Sequence, residues 1–309
     1  RSLTNAYADV HLVPMMQDNY GFIIVDKLSN TCAVVDPGDG LVIEKALNEL
    51  ELSLDVILCT HKHNDHIGGV LDLKRAFPSA LVIGTQYEAI PGLEAPVGEG
   101  DYFQIGNLPV KVMHTPCHTS GHIAFLVSEP DAADSEDELD HNDEIQFTEL
   151  GGRVKNIRTD GSTGFGPAVS ATDSATSGTN GLSRAPLLFC GDTLFVGGCG
   201  RFFEGTAAQM LRNLDRFAQL DPETQVFCAH EYTESNFKFL SSVDTAAVSV
   251  YEDVKKIREQ GKGTVPTNIG AELKHNLFMQ CHNPRVQKLV NANSATEAMQ
   301  KLRDMKNAF

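Results

Sequence analysis

The first part of the chain alternates short apolar segments with polar turns, a pattern that predicts many strands and few helices. Apolar runs bounded by Gly, Pro, Asn or Asp are typical of strands. The expected strands are 9–14, 20–25, 31–36, 54–59, 81–84, 110–114 and 122–127. Apolar residues at helical spacing predict a helix over 41–50 and another from Gly68 to Phe77. This order of elements suggests β-sheets covered by helices.

The pattern changes toward the end of the chain, where helical periodicity replaces strands. A strand is expected directly before Asp192 and another over 225–229, separated by a helix over 206–220 that Thr206 can cap. Helical segments then follow at 235–243, 248–259, 268–279 and 294–307. We therefore expect two domains, a larger one over 1–230 and a smaller α-helical one over 231–309.

Residues 129–185 differ in character from the rest of the chain. An acidic run from Asp131 to Glu144 precedes a Gly/Ser/Thr-rich stretch from Gly161 to Ser183. There is little apolar side chain here to bury, so a surface loop or disordered insert is expected. His141 lies in this insert and is not expected to bind a metal.

Composition and charge narrow the classes of partner. The chain has 309 residues, enough for one large domain or two, and a formal net charge of −16. Such an acidic surface is a poor partner for nucleic acid. No apolar run approaches the roughly 18 residues needed to span a bilayer, so no membrane partner is expected.

Cysteine usage and the first residue bear on location. The seven cysteines are scattered and include no CxxC pair. This favours reduced, buried thiols in an intracellular protein, and we expect a cytoplasmic location. Because the chain begins with Arg1 and not with Met, a mitochondrial location with an upstream presequence is an alternative.

Three histidines and one aspartate lie within six residues, at His61, His63, Asp65 and His66. They follow the expected strand 54–59 and precede a helix, so they lie on a loop where a rigid scaffold can present ligands. Neutral imidazoles together with a carboxylate suit zinc, iron or manganese. The loop therefore predicts a metal site.

Three further polar residues each follow an apolar strand: His118, Asp192 and His230. Strand ends that meet at one edge of a sheet are a common way for α/β enzymes to build a site. Taken singly, each residue could equally be a turn or helix cap. Together with the histidine-rich loop, they are candidates to complete the metal site.

These motifs, with Val35-Asp36-Pro37-Gly38 before them, occur in the order found in the metallo-β-lactamase superfamily, which the chain resembles. Four segments make it similar to one family within it, the glyoxalase II or hydroxyacylglutathione hydrolases. Those segments are 115–122, 191–195, 198–206 and 230–233. The resemblance covers nearly all the chain except 129–185. It implies an α+β fold, an αββα sandwich of two mixed β-sheets flanked by helices, plus a smaller C-terminal helical domain.

The resemblance also implies a centre with two divalent metal ions, zinc or alternatively iron or manganese. Asp192 would bridge the two ions, and Asp65 and Asp192 would orient the hydroxide. The other implied ligands are His61, His63 and His118 for the first metal and Asp65, His66 and His230 for the second.

The activity implied by the resemblance is hydrolysis of the thioester S-D-lactoylglutathione to D-lactate and glutathione, the second step of methylglyoxal detoxification. A hydroxide bridging the metals would attack the thioester carbonyl, and a metal would stabilise the oxyanion. The thiolate leaves with little general-acid help because a thiol has a pKa of about 8.5. No serine or cysteine nucleophile is required.

Residues that hold the thiol carrier are implied in the same way. They are Arg201, Phe203, Tyr232, Gln280 and Lys306. Arg201 stands where the family usually has Lys, Phe203 replaces a usual Tyr, and Gln280 takes the place of an expected Arg. Because Gln280 carries no charge, a glutathione conjugate of lower charge is an alternative substrate.

Other functions share parts of this pattern. A mononuclear iron glutathione persulfide dioxygenase would not need the 198–206 segment or the helical C-terminal region. A lactonase or β-lactam hydrolase explains the C-terminal third less well. A catalytically silent interaction protein would not need all the ligand positions filled. We therefore expect an enzyme that is a monomer and whose partner is a small-molecule glutathione thioester.

Overall fold

The computed structural model describes residues 1–130, the backbone of the strand 154–158, and residues 182–309. The first strands of the chain pair in sequence order to form a seven-stranded sheet. They are β1 (Ser2–Thr4), β2 (Ala8–Met15), β3 (Asn19–Asp26), β4 (Cys32–Val35), β5 (Val56–Cys59), β6 (Leu81–Thr85) and β7 (Ala95–Val97). The pairs from β1 to β4 are antiparallel, and those from β4 to β7 are parallel.

Parallel neighbours cannot be joined by a tight hairpin and need a crossover connection. Helix α1 (Gly40–Glu49) joins β4 to β5, and α2 (Asn64–Ile67) with α3 (Val70–Ala76) joins β5 to β6. The predicted helix from Gly68 is therefore a little shorter than expected. The preceding metal loop contributes a helical turn of its own.

Nine further strands follow within the described residues. They are β8 (Tyr102–Ile105), β9 (Leu108–His114), β10 (Ile123–Val127), β11 (Val154–Arg158), β12 (Leu187–Gly191), β13 (Leu194–Phe195), β14 (Gly198–Cys199), β15 (Gln225–Cys228) and β16 (Thr267–Asn268). Strands β13 and β14 form a separate hairpin. The others form a second sheet in the order β11-β8-β9-β10-β12-β15-β16, in which the described pairs are antiparallel except for β12 with β15.

Helices make up most of the remainder. They are α4 (Ala207–Phe217), α5 (Thr233–Val243), α6 (Val248–Glu259), α7 (Ile269–His275), α8 (Pro284–Leu289) and α9 (Ala295–Ala308), with short 3-10 turns at Thr245–Ala247 and Leu277–Gln280. The helix predicted over 268–279 ends at His275. Asn276 breaks it because its side-chain oxygen accepts from Phe278 N, and its Nδ2 donates to Gly198 O. The short α8 follows an Asn283 cap and a Pro at its first position.

The main core lies between the two sheets and is marked by an aromatic trio. Phe22 of β3 meets Phe189 and Phe227 of the second sheet edge-on, at ring-centroid distances of 5.5 and 5.6 Å. Every residue of β3 is buried, because one face meets the second sheet and the other meets a smaller core that includes Ile43 of α1 and Leu73 of α3. A side chain at any position of β3 therefore lies against protein and not against solvent.

Side chains from the C-terminal helices belong to the core between the sheets. Phe239 of α5, Phe278 of the last 3-10 turn and Leu302 of α9 are part of the same buried cluster as Phe189 and Phe217. Residues 231–309 thus pack directly on the second sheet and α4. The division into two domains at residue 230 stays a prediction.

The segment 129–185, expected as a loop, contains at least one strand. Strand β11 pairs antiparallel with β8 and extends the second sheet at its edge. Residues 131–153 and 159–181, including His141, lie outside the described residues. A strand was not expected here because the composition of the surrounding sequence is polar and rich in small residues.

The cysteines and the lengths of the helices bear on two further expectations. All seven cysteines are free and buried, which confirms the prediction of buried thiols. Within the described ranges, none of the helices combines the length and apolar character that a membrane crossing needs.

We predict that Phe189→Ala lowers the free energy of unfolding by about 3–5 kcal/mol, because it leaves a cavity between the sheets. The measurement is chemical denaturation followed by circular dichroism. Leu28→Ala is the matched control, since Leu28 is 74% exposed and its truncation should change stability by less than about 0.5 kcal/mol. Equal effects of the two changes would contradict the burial of Phe189 between the sheets.

Candidate metal centre and substrate cleft

The structure brings all the predicted metal ligands together at the carboxyl ends of strands from both sheets. The loop with His61 and His63 follows β5, and His118 lies in the turn after β9. Asp192 and His230 follow β12 and β15, which are parallel neighbours in the second sheet. Strand ends therefore deliver ligands that are far apart in sequence to one place.

The backbone before Asp192 requires a glycine. Gly191 has a φ of +47°, and a Cβ at this position would lie 2.6 Å from Thr60 Oγ1 and 2.7 Å from His122 Nε2. His122 also contacts the next residue, because its Nε2 accepts a hydrogen bond from Asp192 N at 3.0 Å. The tight turn and His122 together hold the main chain at Asp192 in place.

Three imidazole nitrogens form the first ligand group. His63 Nδ1 lies 3.1 Å from His61 Nε2 and 3.1 Å from His118 Nε2. A tetrahedral ion with metal–nitrogen distances of about 2.0–2.1 Å would separate its nitrogen ligands by about 3.3 Å. The spacing of these nitrogens is therefore close to that of ligands around one metal ion.

A second group lies beside the first, and Asp192 faces both. Asp65 Oδ2 lies 3.6 Å from His66 Nε2 and 3.5 Å from His230 Nε2. Asp192 Oδ1 is 3.4 Å from each of the same two nitrogens, whereas its Oδ2 is 3.3 Å from His118 Nε2 of the first group. One carboxylate thus presents one oxygen to each group.

Two buried atoms of the centre have no hydrogen-bond partner, namely His66 Nε2 and Asp192 Oδ1. Buried polar atoms are nearly always satisfied in proteins, so an unpaired nitrogen and an unpaired carboxylate oxygen facing each other call for a ligand. A divalent cation would satisfy both. The His and Asp groups could therefore hold metal ions, as their clustering also indicates.

The outer nitrogens of the ligand histidines are held by fixed partners, an arrangement typical of metal sites. The pairs are His61 Nδ1 with Thr60 Oγ1 at 3.0 Å, His66 Nδ1 with Asp36 Oδ2 at 2.9 Å, His118 Nδ1 with Arg201 O at 3.1 Å, and His230 Nδ1 with Asp18 Oδ1 at 2.9 Å. These bonds set the plane of each ring before any ion arrives.

Asp36 and Asp18 are functional neighbours that the sequence did not single out as site residues. Asp36 also accepts from the backbone and hydroxyl of Thr60, at 2.8 and 2.7 Å, and so links β4 to the metal loop. Its motif, Val35-Asp36-Pro37-Gly38, was a visible signal. Asp18 has no comparable signal, because it contacts His230 only through the folding of the chain.

The electrostatics of the centre favour a cation. Burial raises the pKa of the Asp192 carboxyl, but the neighbouring imidazoles of His66 and His230 outweigh burial and hold that pKa well below its usual range. Burial lowers the pKa of His61 well below its ordinary value, and His66 adds to the effect. Burial also disfavours the charged form of His66, but the Asp192 and Asp36 carboxylates outweigh burial there and raise the pKa of His66 to about 9. A divalent cation between these carboxylates and imidazoles would take the place of that proton, because metal ions and protons compete for the same nitrogens.

A cleft of about 1030 Å³ opens directly above the two ligand groups. Of the five residues predicted to bind the thiol carrier, the structure places four on its walls: Arg201, Phe203, Tyr232 and Lys306. Gln280 is not among the described residues lining the cleft. Its Nε2 donates to Leu273 O at 3.0 Å, within the C-terminal helices.

Arg303 supplies a cation to the cleft that the sequence interpretation missed. It lies on α9 three residues before Lys306, a spacing that places both side chains on one face of the helix. Arg303 is buried, and its Nη1 donates to Cys199 O at 2.8 Å. The periodicity of α9 was the available signal, but only the packing shows which face meets the cleft.

The cleft residues are positioned by direct contacts. The Tyr232 ring stacks on His230 with centroids 4.6 Å apart, and the Phe203 ring meets His118 edge-on at 5.1 Å. Lys306 Nζ donates to Ser235 O and Oγ, both at 2.8 Å. Burial, reinforced by Arg303 and Arg201, lowers the pKa of Lys306 to about 8.

Comparisons with known proteins agree with this architecture. A family model described as Metallo-beta-lactamase superfamily matches residues 17–230, and one described as Hydroxyacylglutathione hydrolase C-terminus matches residues 231–309. Relatives named hydroxyacylglutathione hydrolase include one from Photobacterium profundum, 36% identical over 91% of this chain and 90% of its own length. Another from Vibrio parahaemolyticus is 36% identical over 97% of this chain and 99% of its own.

Solved structures share the fold at lower identity. The structure of ETHE1 from Myxococcus xanthus has a TM-score of 0.57 and 21% identity, over 96% of this chain and 90% of that one. A metallo-β-lactamase from Staphylococcus aureus has a TM-score of 0.58 and 17% identity, over 99% and 72%. These neighbours confirm the predicted α+β fold class. The family matches confirm the predicted resemblance: the chain belongs to the metallo-β-lactamase superfamily and, within it, to the hydroxyacylglutathione hydrolase family.

Proposed function

We propose that this protein is a hydrolase that cleaves S-D-lactoylglutathione to D-lactate and glutathione with two divalent metal ions. The observation that carries the proposal is Asp192, whose two oxygens face the two ligand groups at the base of a cleft that Arg201, Arg303 and Lys306 also line. The names of the relatives support the choice of a hydroxyacylglutathione as the substrate. The metal ions we propose are zinc, with iron or manganese as alternatives, because His and Asp suit all three.

When bound, divalent metal ions at these groups supply a hydroxide at neutral pH and polarise the thioester carbonyl. The protein's part is to orient the attacking water. His122 holds the main chain of Asp192, and Asp65 Oδ2 accepts from Asn19 Nδ2 at 3.0 Å, so both residues have fixed positions. Their oxygens can accept a hydrogen bond from water and hold it below the substrate carbonyl.

A nucleophilic side chain is not needed for this reaction. Cys117 precedes the ligand His118, but it is buried, and burial raises the pKa of its thiol to about 12. A thiol in that state is a poor nucleophile. The leaving group is itself a thiolate, which is stable enough near neutral pH to depart without a strong proton donor.

Recognition of the thiol carrier rests on local charge. Glutathione carries two carboxylates, whereas the protein as a whole has a net charge of −16. Arg201, Arg303 and Lys306 line the cleft and provide the local positive charge that offsets this field. Phe203 and Tyr232 provide apolar surface next to the ligand groups. A carrier of lower charge was an alternative because Gln280 has no charge. Arg303 supplies a cation to the cleft, so that argument no longer applies.

A mononuclear dioxygenase is less well supported. The second ligand group of Asp65, His66 and His230 is complete, and a one-metal enzyme would not need it. A silent interaction protein would not need a cleft that joins these groups to Arg201, Arg303 and Lys306. The observations therefore favour two-metal hydrolysis.

The substrate is tested by incubating the metal-loaded protein with S-D-lactoylglutathione while thioester absorbance and oxygen concentration are followed. We expect loss of the thioester, release of one free thiol per thioester, and no oxygen uptake. The protein after treatment with a chelator is the control and should be inactive. Oxygen consumption, or an intact thioester in the presence of bound metals, would exclude the proposed reaction.

We predict that Asp192→Ala loses both metal ions and nearly all turnover, because the change removes the oxygens that face both groups. Metal content is measured by mass spectrometry of the purified protein, and turnover by thioester loss. The control is Asp215→Ala, a partly exposed aspartate of α4 that contacts His282 away from the cleft. Full metal content in Asp192→Ala with retained activity would contradict the two-metal scheme.

We predict that kcat/KM falls as the pH rises above about 8. The pKa of Lys306 lies at about 8, so its positive charge is present below that pH and is lost above it. Because kcat/KM reports groups of the free enzyme, it should drop by up to about tenfold between pH 7 and pH 9 if the charge binds a substrate carboxylate.

Lys306→Arg separates this effect from other titrations. Arginine stays protonated, so the fall in kcat/KM above pH 8 should largely disappear in this variant. Lys301→Arg is the matched control, because Lys301 lies on the same helix and pairs with Glu297 outside the cleft. The same pH profile in the native protein and in Lys306→Arg would rule out a role for the Lys306 charge.

A further inference from the structure

Lys62 of the metal loop points toward two glutamates and is not one of the metal ligands. Lys62 lies between His61 and His63, and its Nζ reaches Glu204 Oε1 at 2.6 Å and Glu88 Oε1 at 3.8 Å. The ligand pattern leaves this spacer position free, so the metal chemistry gives no reason for a lysine there.

Glu88 holds the main chain at Lys62. Its side chain is only 2% exposed, its Oε2 accepts from Lys62 N at 2.9 Å, and its Oε1 accepts from Gly121 N at 2.8 Å. A buried carboxylate with two backbone donors is a fixed point. It ties the metal loop to the turn that carries His118.

Glu204 belongs to the largely exposed segment 200–206, which also carries Arg201 and Phe203. Its Oε2 accepts from Ser120 N at 2.8 Å, while its Oε1 meets Lys62. Phe203 itself is 61% exposed and meets the histidine rings only by its edges. Phe202 packs against the main core, and Glu204 N donates to Cys117 O at 3.2 Å. The Glu204 side chain adds to these contacts on the exposed side of the segment.

We propose that Lys62 and Glu204 are positioning residues for the substrate: their ion pair holds the segment with Arg201 and Phe203 at the mouth of the metal centre. This inference rests on the proposed function, because it assumes that the segment binds the thiol carrier. Loss of the pair leaves the metal ligands and the contact of Arg201 O with His118 in place, but loosens the side chains of Arg201 and Phe203 at the cleft. Substrate affinity should suffer, whereas metal binding should not.

The size of the effect follows from the exposure of the pair. Partly exposed ion pairs contribute little to stability, so the melting temperature should hardly change. If the ion pair holds a binding segment in place, loss of this small free energy weakens substrate binding instead. We expect Kd to rise about three- to fivefold. A purely structural pair would instead lower stability without a change in affinity.

The test uses S-methylglutathione, a thioether that cannot be hydrolysed, in isothermal titration calorimetry with the metal-loaded full chain. We expect Lys62→Met and Glu204→Gln each to raise Kd about three- to fivefold. Metal content should stay at two ions per chain, and kcat for the thioester should stay within about twofold. Lys62→Arg should restore affinity, since it keeps the charge.

The double variant Lys62→Met with Glu204→Gln should bind no more weakly than the weaker single variant, because both changes break one interaction. Lys45→Met is the matched control: Lys45 forms an exposed pair with Glu49 on α1 at 3.7 Å, away from the cleft. Unchanged Kd in both single variants, multiplied effects in the double variant, or loss of metal would each overturn the inference.

The outcome also separates this inference from the proposed function. A native protein that neither binds S-methylglutathione nor hydrolyses the thioester would refute both. A native protein that does both, with variants that bind equally well, would refute only the role of Lys62 and Glu204.

Discussion

The shared carboxylate of Asp192 is the constraint around which the site is arranged. It is a buried charge, and burying a charge is costly unless partners compensate it. Here the partners are imidazoles delivered by strand ends of two different sheets, one group on each side of the carboxylate. The two sheets must therefore keep a fixed relative position. The aromatic contacts of Phe22 with Phe189 and Phe227 between the sheets provide that rigidity.

A second constraint is that the C-terminal helices, which bring Arg303 and Lys306 to the cleft, must be fixed relative to the ligand groups. Glu231 is a link between them: its carboxylate accepts from Tyr20 on β3 at 2.8 Å and from Thr264 Oγ1 at 2.6 Å. It lies between the ligand His230 and the stacked Tyr232. The C-terminal region is thereby fixed to the first sheet at the point where the cleft meets the ligand groups, and cations on α9 have a defined distance to the reaction centre.

Sequence patterns identified the ligands because each follows an apolar strand, and strand ends are where folds of this class collect polar groups. The same reasoning could not find Asp18, whose contact with His230 joins residues more than two hundred positions apart. It did not identify Arg303 as a cleft residue, because that requires knowing which face of α9 packs on Cys199. The end of α7 at His275 depends on the bond from Asn276 to the distant hairpin, and β11 depends on pairing with β8. Long-range partners decided each of these cases.

The contact between His118 and Arg201 has a consequence for how this protein tolerates change. The histidine nitrogen meets the main-chain carbonyl of residue 201, not its side chain. Every amino acid carries that carbonyl, so the orientation of the ligand is indifferent to which side chain stands at this position. The arginine side chain at this position is therefore free to serve the cleft without affecting the ring of His118. A substitution at residue 201 can alter the wall of the cleft and leave the geometry of the ligand group unchanged.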